Sequence, residues 1–120
     1  MARILVAEDD AAERTLLMRA LKADGHEVIA VDDGQAALAQ LTANPSAIDL
    51  VVSDVEMPML DGVSLAQRAI AARADIKVLL ISGHQESLDR AKALNAPGVR
   101  SLAKPASLEV VRAEVGKMLA

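Results

Sequence analysis

The chain has 120 residues, a length that suits one domain with one hydrophobic core, and 52% of these residues are apolar. It contains no Cys and no aromatic residue, which excludes disulfides, thiolate metal sites and the stacking of a flavin or a base on a side chain. The formal net charge of −4, without a cluster of Lys and Arg, argues against a protein that binds nucleic acid.

The first strand and the first helix are indicated by a short apolar run and by apolar residues at helical spacing. Arg3–Ala7 (RILVA) predicts a buried strand, and Ala11–Ala23 predicts the helix that follows it. Asp10 and Glu13 have the spacing of a capping box, and we expect Asp10 to act as the helix cap. Gly25 is the expected residue beyond the end of the helix, because glycine tolerates a left-handed backbone.

The middle of the chain continues the alternation of strand and helix. A second strand is predicted at Glu27–Val31, and apolar residues within 36–41 predict a second helix that Asn44-Pro45 ends. Asp49–Ser53 (DLVVS) predicts a third strand, as apolar as the first. The segment Asp54–Gly62 (DVEMPMLDG) is predicted to be a loop, because its Pro and its Asp-Gly pair interrupt regular structure.

The last part of the chain predicts three further helices and two further strands. A helix is expected around 63–70, followed by a strand at Lys77–Ser82 (KVLLIS) and a polar helix from about Gln85 to Leu94. Val99–Ala103 predicts a short fifth strand, and Ser107 is expected to cap the final helix.

This alternation predicts an α/β fold. Strand followed by helix, repeated five times, favours a parallel sheet with helices on both faces. We expect the doubly wound, flavodoxin-like strand order 2-1-3-4-5 in a three-layer sandwich. Residues 1–120 are expected to form a single domain without a linker and without an output domain.

Polar side chains follow four of the predicted strands. Glu8 and Asp9 come after the first strand, Asp54 after the third, Ser82 at the end of the fourth and Lys104 after the fifth. Ligands of doubly wound folds bind beyond the carboxyl ends of the strands, where the winding reverses. Three acids, one hydroxyl and one ammonium are therefore expected on one rim of the sheet.

These groups have the chemistry of a phosphoryl-transfer site. Carboxylates that are packed together repel each other, and oxygen ligands without His or Cys select Mg²⁺, Mn²⁺ or Ca²⁺ over zinc. An open rim suits Mg²⁺, which keeps several waters. A cation, an ammonium and a hydroxyl around one carboxylate can neutralise and position a phosphoryl group during its transfer.

Four motifs resemble those of the receiver domains of two-component response regulators, the CheY-like superfamily. They are Ile4–Asp9 (ILVAED), Asp54–Gly62 (DVEMPMLDG), Ser82-Gly83 and Lys104-Pro105, and together they extend over the whole chain. The stretches ILVAEDD and HEVIAVDDG are also similar to the CpdR-like regulators of alphaproteobacteria, which influence proteolysis and cell-cycle progression.

The resemblance implies a role for each residue of the acidic side of the rim. Asp54 would accept a phosphoryl group, and it would also bind the metal. Asp9 would bind Mg²⁺ directly, and Glu8 would bind it through water. The backbone carbonyl of Glu56 would be a further ligand.

The resemblance also implies the residues that contact the phosphoryl group. Ser82 would donate a hydrogen bond to it, Lys104 would pair with it, and Gly83 would leave it room. The peptide bond before Pro105 is often cis in the family, which would aim Lys104 inward.

Two positions depart from the family pattern. Ser101 stands where many receivers have Tyr or Phe, and Ala106 stands where Phe is frequent. The aromatic readout of many family members is therefore excluded here, and the signal must leave the acceptor by another path.

The resemblance implies a stand-alone response regulator. A histidine kinase or a histidine phosphotransferase would donate the phosphoryl group, and the protein would catalyse its own phosphorylation and dephosphorylation without being an enzyme. The output would be a contact with a downstream protein through the fourth helix, the fifth strand and the fifth helix, without nucleic acid or membrane. A cytoplasmic monomer is expected, because the chain has neither a signal segment nor an apolar run of roughly 18 residues.

Other functions fit parts of this pattern. A pseudo-receiver would bind a protein constitutively but would lack at least one of Asp9, Asp54 and Lys104, all of which are present. A phosphate sink or relay is a further alternative. A phosphohydrolase of the haloacid-dehalogenase type would have a second Asp in place of Glu56, and a flavodoxin would need a Ser/Thr-rich phosphate loop and an aromatic residue. Glu56 and His84 flank the acceptor and would either tune the attack of water on the phosphoryl group or be solvated surface residues.

Overall fold

A computed structural model describes residues 2–120, in which five strands alternate with five helices. The strands are β1 (Arg3–Ala7), β2 (Glu27–Val31), β3 (Leu50–Asp54), β4 (Lys77–Ser82) and β5 (Val99–Ala103). The helices are α1 (Ala11–Ala23), α2 (Gly34–Ala43), α3 (Gly62–Ala72), α4 (Gln85–Ala93) and α5 (Leu108–Leu119), with a short 3-10 helix at Pro45–Ala47. Within residues 2–120, no helix combines the length and the apolar character that a membrane span needs.

The strands form one parallel sheet in the order β2-β1-β3-β4-β5. This order confirms the predicted doubly wound, flavodoxin-like α/β fold. β1, β3 and β4 are almost wholly buried at the centre of the sheet, whereas β2 and β5 form its partly exposed edges. The carboxyl ends of β1 and β3 therefore lie side by side where the winding reverses.

Two hydrophobic clusters fill the layers between the sheet and the helices. The cluster under α2, α3 and α4 includes Leu5, Leu41, Val51, Leu65 and Leu80, and the cluster under α1 and α5 includes Val6, Leu21, Val52, Leu79 and Val111. Neighbouring residues of one strand enter opposite clusters, because side chains alternate between the two faces of a sheet. This packing holds the three central strands rigidly and so positions the residues at their carboxyl ends.

Four helices begin at a side chain that caps them. Asp10, Asp33, Asp61 and Ser107 each accept a hydrogen bond from the backbone N–H three residues later. The predicted capping box of α1 is only half formed. The Asp10 N–H donates to Glu8 Oε2 at 3.2 Å instead of to Glu13, because the side chain of Glu8, two residues before Asp10, reaches over the N-cap.

The third strand ends one residue later than the sequence predicts. It covers Leu50–Asp54 instead of Asp49–Ser53, because Asp54 pairs with Ile81 in the ladder between β3 and β4. The predicted loop is also shorter at its other end, where Gly62 is the first residue of α3. Asp54 therefore belongs to a buried central strand and not to a loop, and its backbone position is fixed by the sheet.

Candidate functional site

Three carboxylates meet at the carboxyl ends of β1 and β3. Glu8 and Asp9 follow β1, Asp54 ends β3, and one carboxylate oxygen from each of them lies within 4.8 Å of the other two. The adjacency of β1 and β3 in the sheet brings these residues together. Glu8 and Asp54 are only 8% and 9% exposed, whereas Asp9 is exposed at the rim.

Asp54 is a buried carboxylate, and one of its oxygens accepts no hydrogen bond from the part of the chain that the structure describes. Its Oδ1 has no hydrogen-bond partner within residues 2–120, although Lys104 Nζ lies 3.3 Å away as an ion-pair partner. Burial raises the pKa of Asp54 above its ordinary value, the ammonium of Lys104 opposes this effect, and the carboxylates of Glu56 and Asp9 add to it. The free oxygen can serve as a metal ligand or as a nucleophile.

Lys104 is the cation of the site and contacts three carboxylates. Its Nζ lies 3.3 Å from Asp54 Oδ1, 3.7 Å from Glu13 Oε2 and 3.9 Å from Glu8 Oε1. Burial alone would lower the pKa of Lys104, but the three carboxylates raise it above its ordinary value, so the ammonium stays charged at neutral pH. The peptide bond between Lys104 and Pro105 is cis, as the resemblance implied.

The negative charge of the rim exceeds what Lys104 neutralises. Burial, followed by the neighbouring carboxyl groups of Glu13 and Asp54, raises the pKa of Glu8 to about 8. Such a shift means that the ionised form of Glu8 is disfavoured next to other acids. An additional cation at the rim would therefore stabilise the ionised forms of these acids.

The donor set of the rim fits a magnesium ion. Glu8, Asp9 and Asp54 supply hard carboxylate oxygens, and the uncompensated charge and the free Oδ1 of Asp54 call for a cation. No His or Cys side chain contributes to this cluster of residues, which disfavours zinc. The backbone carbonyl of Glu56 remains a predicted additional ligand.

Ser82 lies beside the acceptor, but its hydroxyl is bonded to Glu56. Ser82 is fully buried at the end of β4, and its Oγ lies 2.9 Å from each carboxylate oxygen of Glu56. Glu56 also accepts a hydrogen bond from Ser87 of α4 at 2.5 Å. The carboxylate of Glu56 is thus bound by protein groups and is not a solvated surface residue, whereas His84 is exposed.

The other predicted positions frame the site. A Cβ added at Gly83 would lie 3.6 Å from the Lys104 Cβ, which is an ordinary contact. A Cβ added at Gly62 would lie only 2.4 Å from the Asp54 carbonyl oxygen, so glycine allows α3 to begin close to the acceptor strand. Ser101 in β5 and Ala106 after it are partly buried.

A groove of about 510 Å³ opens beside the acceptor, between α1 and α5. Its walls are mostly apolar and include Leu16, Leu17, Ala106, Leu108 and Val111. Asp54 and Lys104 border it as well. A side chain or small group entering this groove from outside would therefore reach the acceptor.

Sequence patterns did not identify the contact of Glu13 with Lys104 or the contact of Ser87 with Glu56. The spacing of Glu13 from Asp10 is explained by helix capping, which concealed its contact with Lys104. Its position in the first turn of the helix after β1 could have indicated that Glu13 lies near the site. Ser87 lies in a polar helix, and only the tertiary structure brings it to Glu56.

Comparison with known proteins agrees with this geometry. A family model described as the response regulator receiver domain matches residues 4–116. The response regulator receiver protein CpdR of Brucella abortus (strain 2308) is 38% identical, and the alignment covers 99% of this chain and 98% of CpdR. The response regulator MprA of Mycobacterium sp. (strain KMS) is 36% identical over 98% of this chain, which spans only 50% of MprA.

Solved structures show the same fold. The receiver domain of the hybrid histidine kinase CckA is 35% identical, with a TM-score of 0.83 and coverage of 98% of this chain and 99% of that one. The response regulator TrrA of Thermotoga maritima, solved with Mg²⁺ and BeF, is 27% identical, with a TM-score of 0.86 and coverage of 99% and 100%.

Proposed function

The chain belongs to the response regulator receiver domain family, and on that basis we propose that Asp54 accepts a phosphoryl group in a magnesium-dependent signalling switch. Receiver domains act in two-component signalling, where they exchange signals with histidine kinases or phosphotransferases and with downstream targets. The observation that carries the proposal is the buried Asp54, whose free oxygen lies among two further acids and one lysine.

The chemistry of the transfer follows from the position of Asp54. One carboxylate oxygen attacks the phosphorus of a phosphohistidine, a new O–P bond forms, and the N–P bond breaks, leaving the imidazole of the donor. Lys104, which already lies 3.3 Å from Oδ1, offsets the charge of the incoming oxygens. We expect Ser82, at the end of β4, to donate a hydrogen bond to one of them in place of its hydrogen bond to Glu56.

Magnesium is the expected cofactor of this transfer. Glu8, Asp9 and Asp54 would hold it, with the backbone carbonyl of Glu56 as a further ligand. The bound ion would neutralise negative charge on the transferring phosphoryl group. The central strand β3 positions the nucleophile, and the Lys104 backbone N–H, which donates to the Ser82 carbonyl at 2.8 Å, helps to position the ammonium.

The donor and the output belong to the proposal as well. We expect a histidine kinase or a histidine phosphotransferase as donor, and a downstream protein contacting α4, β5 and α5 as output. The protein would act as a cytoplasmic phosphoacceptor rather than as an enzyme with an external substrate. The similarity to the receiver protein CpdR, of which the alignment covers 98%, supports a role as a response regulator receiver.

The test is phosphorylation by acetyl phosphate in the presence of Mg²⁺. Intact mass spectrometry should show the addition of about one phosphoryl group to the wild-type chain, and chelation of Mg²⁺ should prevent it. Asp54→Asn should abolish the adduct, because an amide is not an effective nucleophile. Asp75→Asn, at the opposite end of the sheet before β4, is the matched control and should be phosphorylated normally. An adduct that is equally strong in Asp54→Asn would contradict the assignment.

A further inference from the structure

The carboxylate of Glu56 connects the end of β4 to the first turn of α4. Ser82 Oγ donates to Glu56 at 2.9 Å, and Ser87 Oγ donates to Glu56 Oε2 at 2.5 Å. Ser82 is fully buried and Ser87 is 9% exposed, so water does not replace these hydrogen bonds easily. Glu56 itself lies in the loop two residues after the acceptor Asp54.

The hydroxyl of Ser82 cannot serve Glu56 and a phosphoryl group together. A serine hydroxyl has a single proton to donate, and that proton points to Glu56 in the unphosphorylated protein. A phosphoryl group on Asp54 would present oxygens of higher negative charge beside Ser82. Donation to the phosphoryl group therefore requires that the hydrogen bond to Glu56 breaks.

Charge repulsion acts in the same direction. Burial is the main cause of the raised pKa of Asp54, and the carboxylate of Glu56, two residues further along the chain, adds a smaller repulsion to it. A phosphoryl group carries roughly one and a half to two negative charges, and it replaces the single charge of the Asp54 carboxylate, so the negative charge at that position grows by roughly half to one unit. Glu56 would thus lose a donor and gain a repulsive neighbour when Asp54 is phosphorylated.

The first turn of α4 has few other attachments. The helix is polar, and its buried residues are Ser87 and Ala91. Its N-cap, His84, makes no side-chain hydrogen bond to the helix, but the His84 backbone N–H donates to Ser82 Oγ at 3.0 Å. The bond between Ser87 and Glu56 is therefore a main contact of this turn with the body of the protein. The chain contains no aromatic residue that could carry a signal here instead.

We propose that Glu56 is a positioning residue that holds Ser82 and the first turn of α4 in the unphosphorylated state, and that phosphorylation of Asp54 releases both. This inference rests on the proposed function, because the phosphoryl group on Asp54 is its input. When Ser82 turns to the phosphoryl group, Glu56 is displaced and Ser87 loses its acceptor. The first turn of α4 then becomes free to adopt the conformation that a partner recognises.

Hydrogen–deuterium exchange over residues 84–93, with acetyl phosphate and Mg²⁺ in excess, tests this relay. Phosphorylation of the wild type should accelerate exchange in the first turn of α4 about tenfold, since a hydrogen bond to a charged group is lost. Ser87→Ala should exchange rapidly without phosphorylation and should change little when phosphorylated. Ser46→Ala, at an exposed serine of the 3-10 helix, is the matched control and should behave as the wild type.

Glu56→Gln provides a second readout, the rate of phosphorylation. Loss of the carboxylate charge should free Ser82 and accelerate phosphorylation by acetyl phosphate about tenfold. Ser87→Ala should leave this rate near that of the wild type, because the bond between Ser82 and Glu56 persists. If Glu56 only stabilised the fold, the phosphorylation rates of Glu56→Gln and Ser87→Ala would not differ in this way.

Each contrary outcome has a definite meaning. Unchanged exchange in α4 of the wild type, with the phosphoryl adduct verified by mass, overturns the relay and leaves the proposed function intact. A response of Ser87→Ala like that of the wild type, or an unchanged phosphorylation rate in Glu56→Gln, also overturns the relay. Absence of any adduct on the wild type overturns the proposed function and the relay with it.

Discussion

At the scale of single residues, Asp54 combines a role in the site with an opposing effect on folding. Its pKa is raised in the folded protein by burial and by neighbouring acids, so folding disfavours its ionised form relative to the unfolded chain. This destabilisation is present above the folded pKa and disappears below the unfolded value of about 3.9. The ionised carboxylate of Asp54 is therefore present in the site although it lowers the stability of the fold.

Asp54→Asn should therefore stabilise the metal-free protein. We expect the free energy of unfolding in chelator at about pH 8 to rise by on the order of 1 kcal/mol, because the buried charge is gone. The gain should shrink as the pH falls through the pKa of Asp54. Urea unfolding across this pH range measures it, with Asp75→Asn as the control. A loss of stability at about pH 8 would show that the pair with Lys104 outweighs the repulsion.

The residues of the site differ in how far their positions could be predicted from sequence. Glu8, Asp9 and Lys104 follow strands and Asp54 ends one. Parallel strands bring their carboxyl ends to one rim, so topology alone predicts that these residues converge. The contact of Glu56 with Ser87 could not be predicted this way, since it depends on the path of a loop and the rotation of a helix.

At the scale of secondary-structure elements, the start of α3 depends on its cap. Asp61 accepts a hydrogen bond from the Ser64 N–H at 3.0 Å and another from its hydroxyl at 3.1 Å. Burial would raise the pKa of Asp61, but these hydrogen bonds and the charge of Arg90 hold it below its ordinary value. The resulting stability is present above the unfolded pKa and is lost as the pH falls through the folded pKa.

Asp61→Ala should lower the free energy of unfolding at neutral pH by about 1 kcal/mol, through loss of the cap. Asp61→Asn should lose less, because Asn caps a helix nearly as well as Asp. The difference in stability between wild type and Asp61→Ala should narrow in acid, since the wild-type carboxylate becomes protonated. Urea titrations at neutral and acid pH check this. An equal loss in both variants would mean that charge, not capping, stabilises the start of α3.

The bounds of most elements follow from local patterns, and the exceptions have tertiary causes. Four strands have the predicted bounds, because short apolar runs flanked by polar residues define them. The third strand extends to Asp54 because it pairs with Ile81 of β4, and no local pattern contains that pairing. The capping box of α1 is half formed because the Asp10 N–H donates its hydrogen bond to Glu8 and not to Glu13.

At the scale of the whole molecule, metal binding should be coupled to stability. Glu8 and Asp9 follow β1, whereas Asp54 ends β3, so an ion that they hold together binds the folded chain far better than the unfolded one. Mg²⁺ at ten times its dissociation constant should add about 1.4 kcal/mol to the free energy of unfolding.

Thermal or urea unfolding with and without Mg²⁺ measures this coupling. Asp9→Asn should reduce the gain, because it removes a carboxylate ligand from the rim without altering the buried core. Asp75→Asn, at the other end of the sheet, should keep the full gain. Equal gains in Asp9→Asn and in the wild type would place the ion elsewhere.

The central claim is that Asp54 itself carries the phosphoryl group, and chemical reduction of the phosphorylated protein tests it most directly. Borohydride reduces an aspartyl phosphate to homoserine, which peptide mass spectrometry locates in the chain. After treatment with acetyl phosphate and Mg²⁺, homoserine should appear at position 54 and nowhere else, and its yield should follow the phosphoryl content of the intact protein. Homoserine at position 9 or 61 with an intact Asp54 would contradict the account.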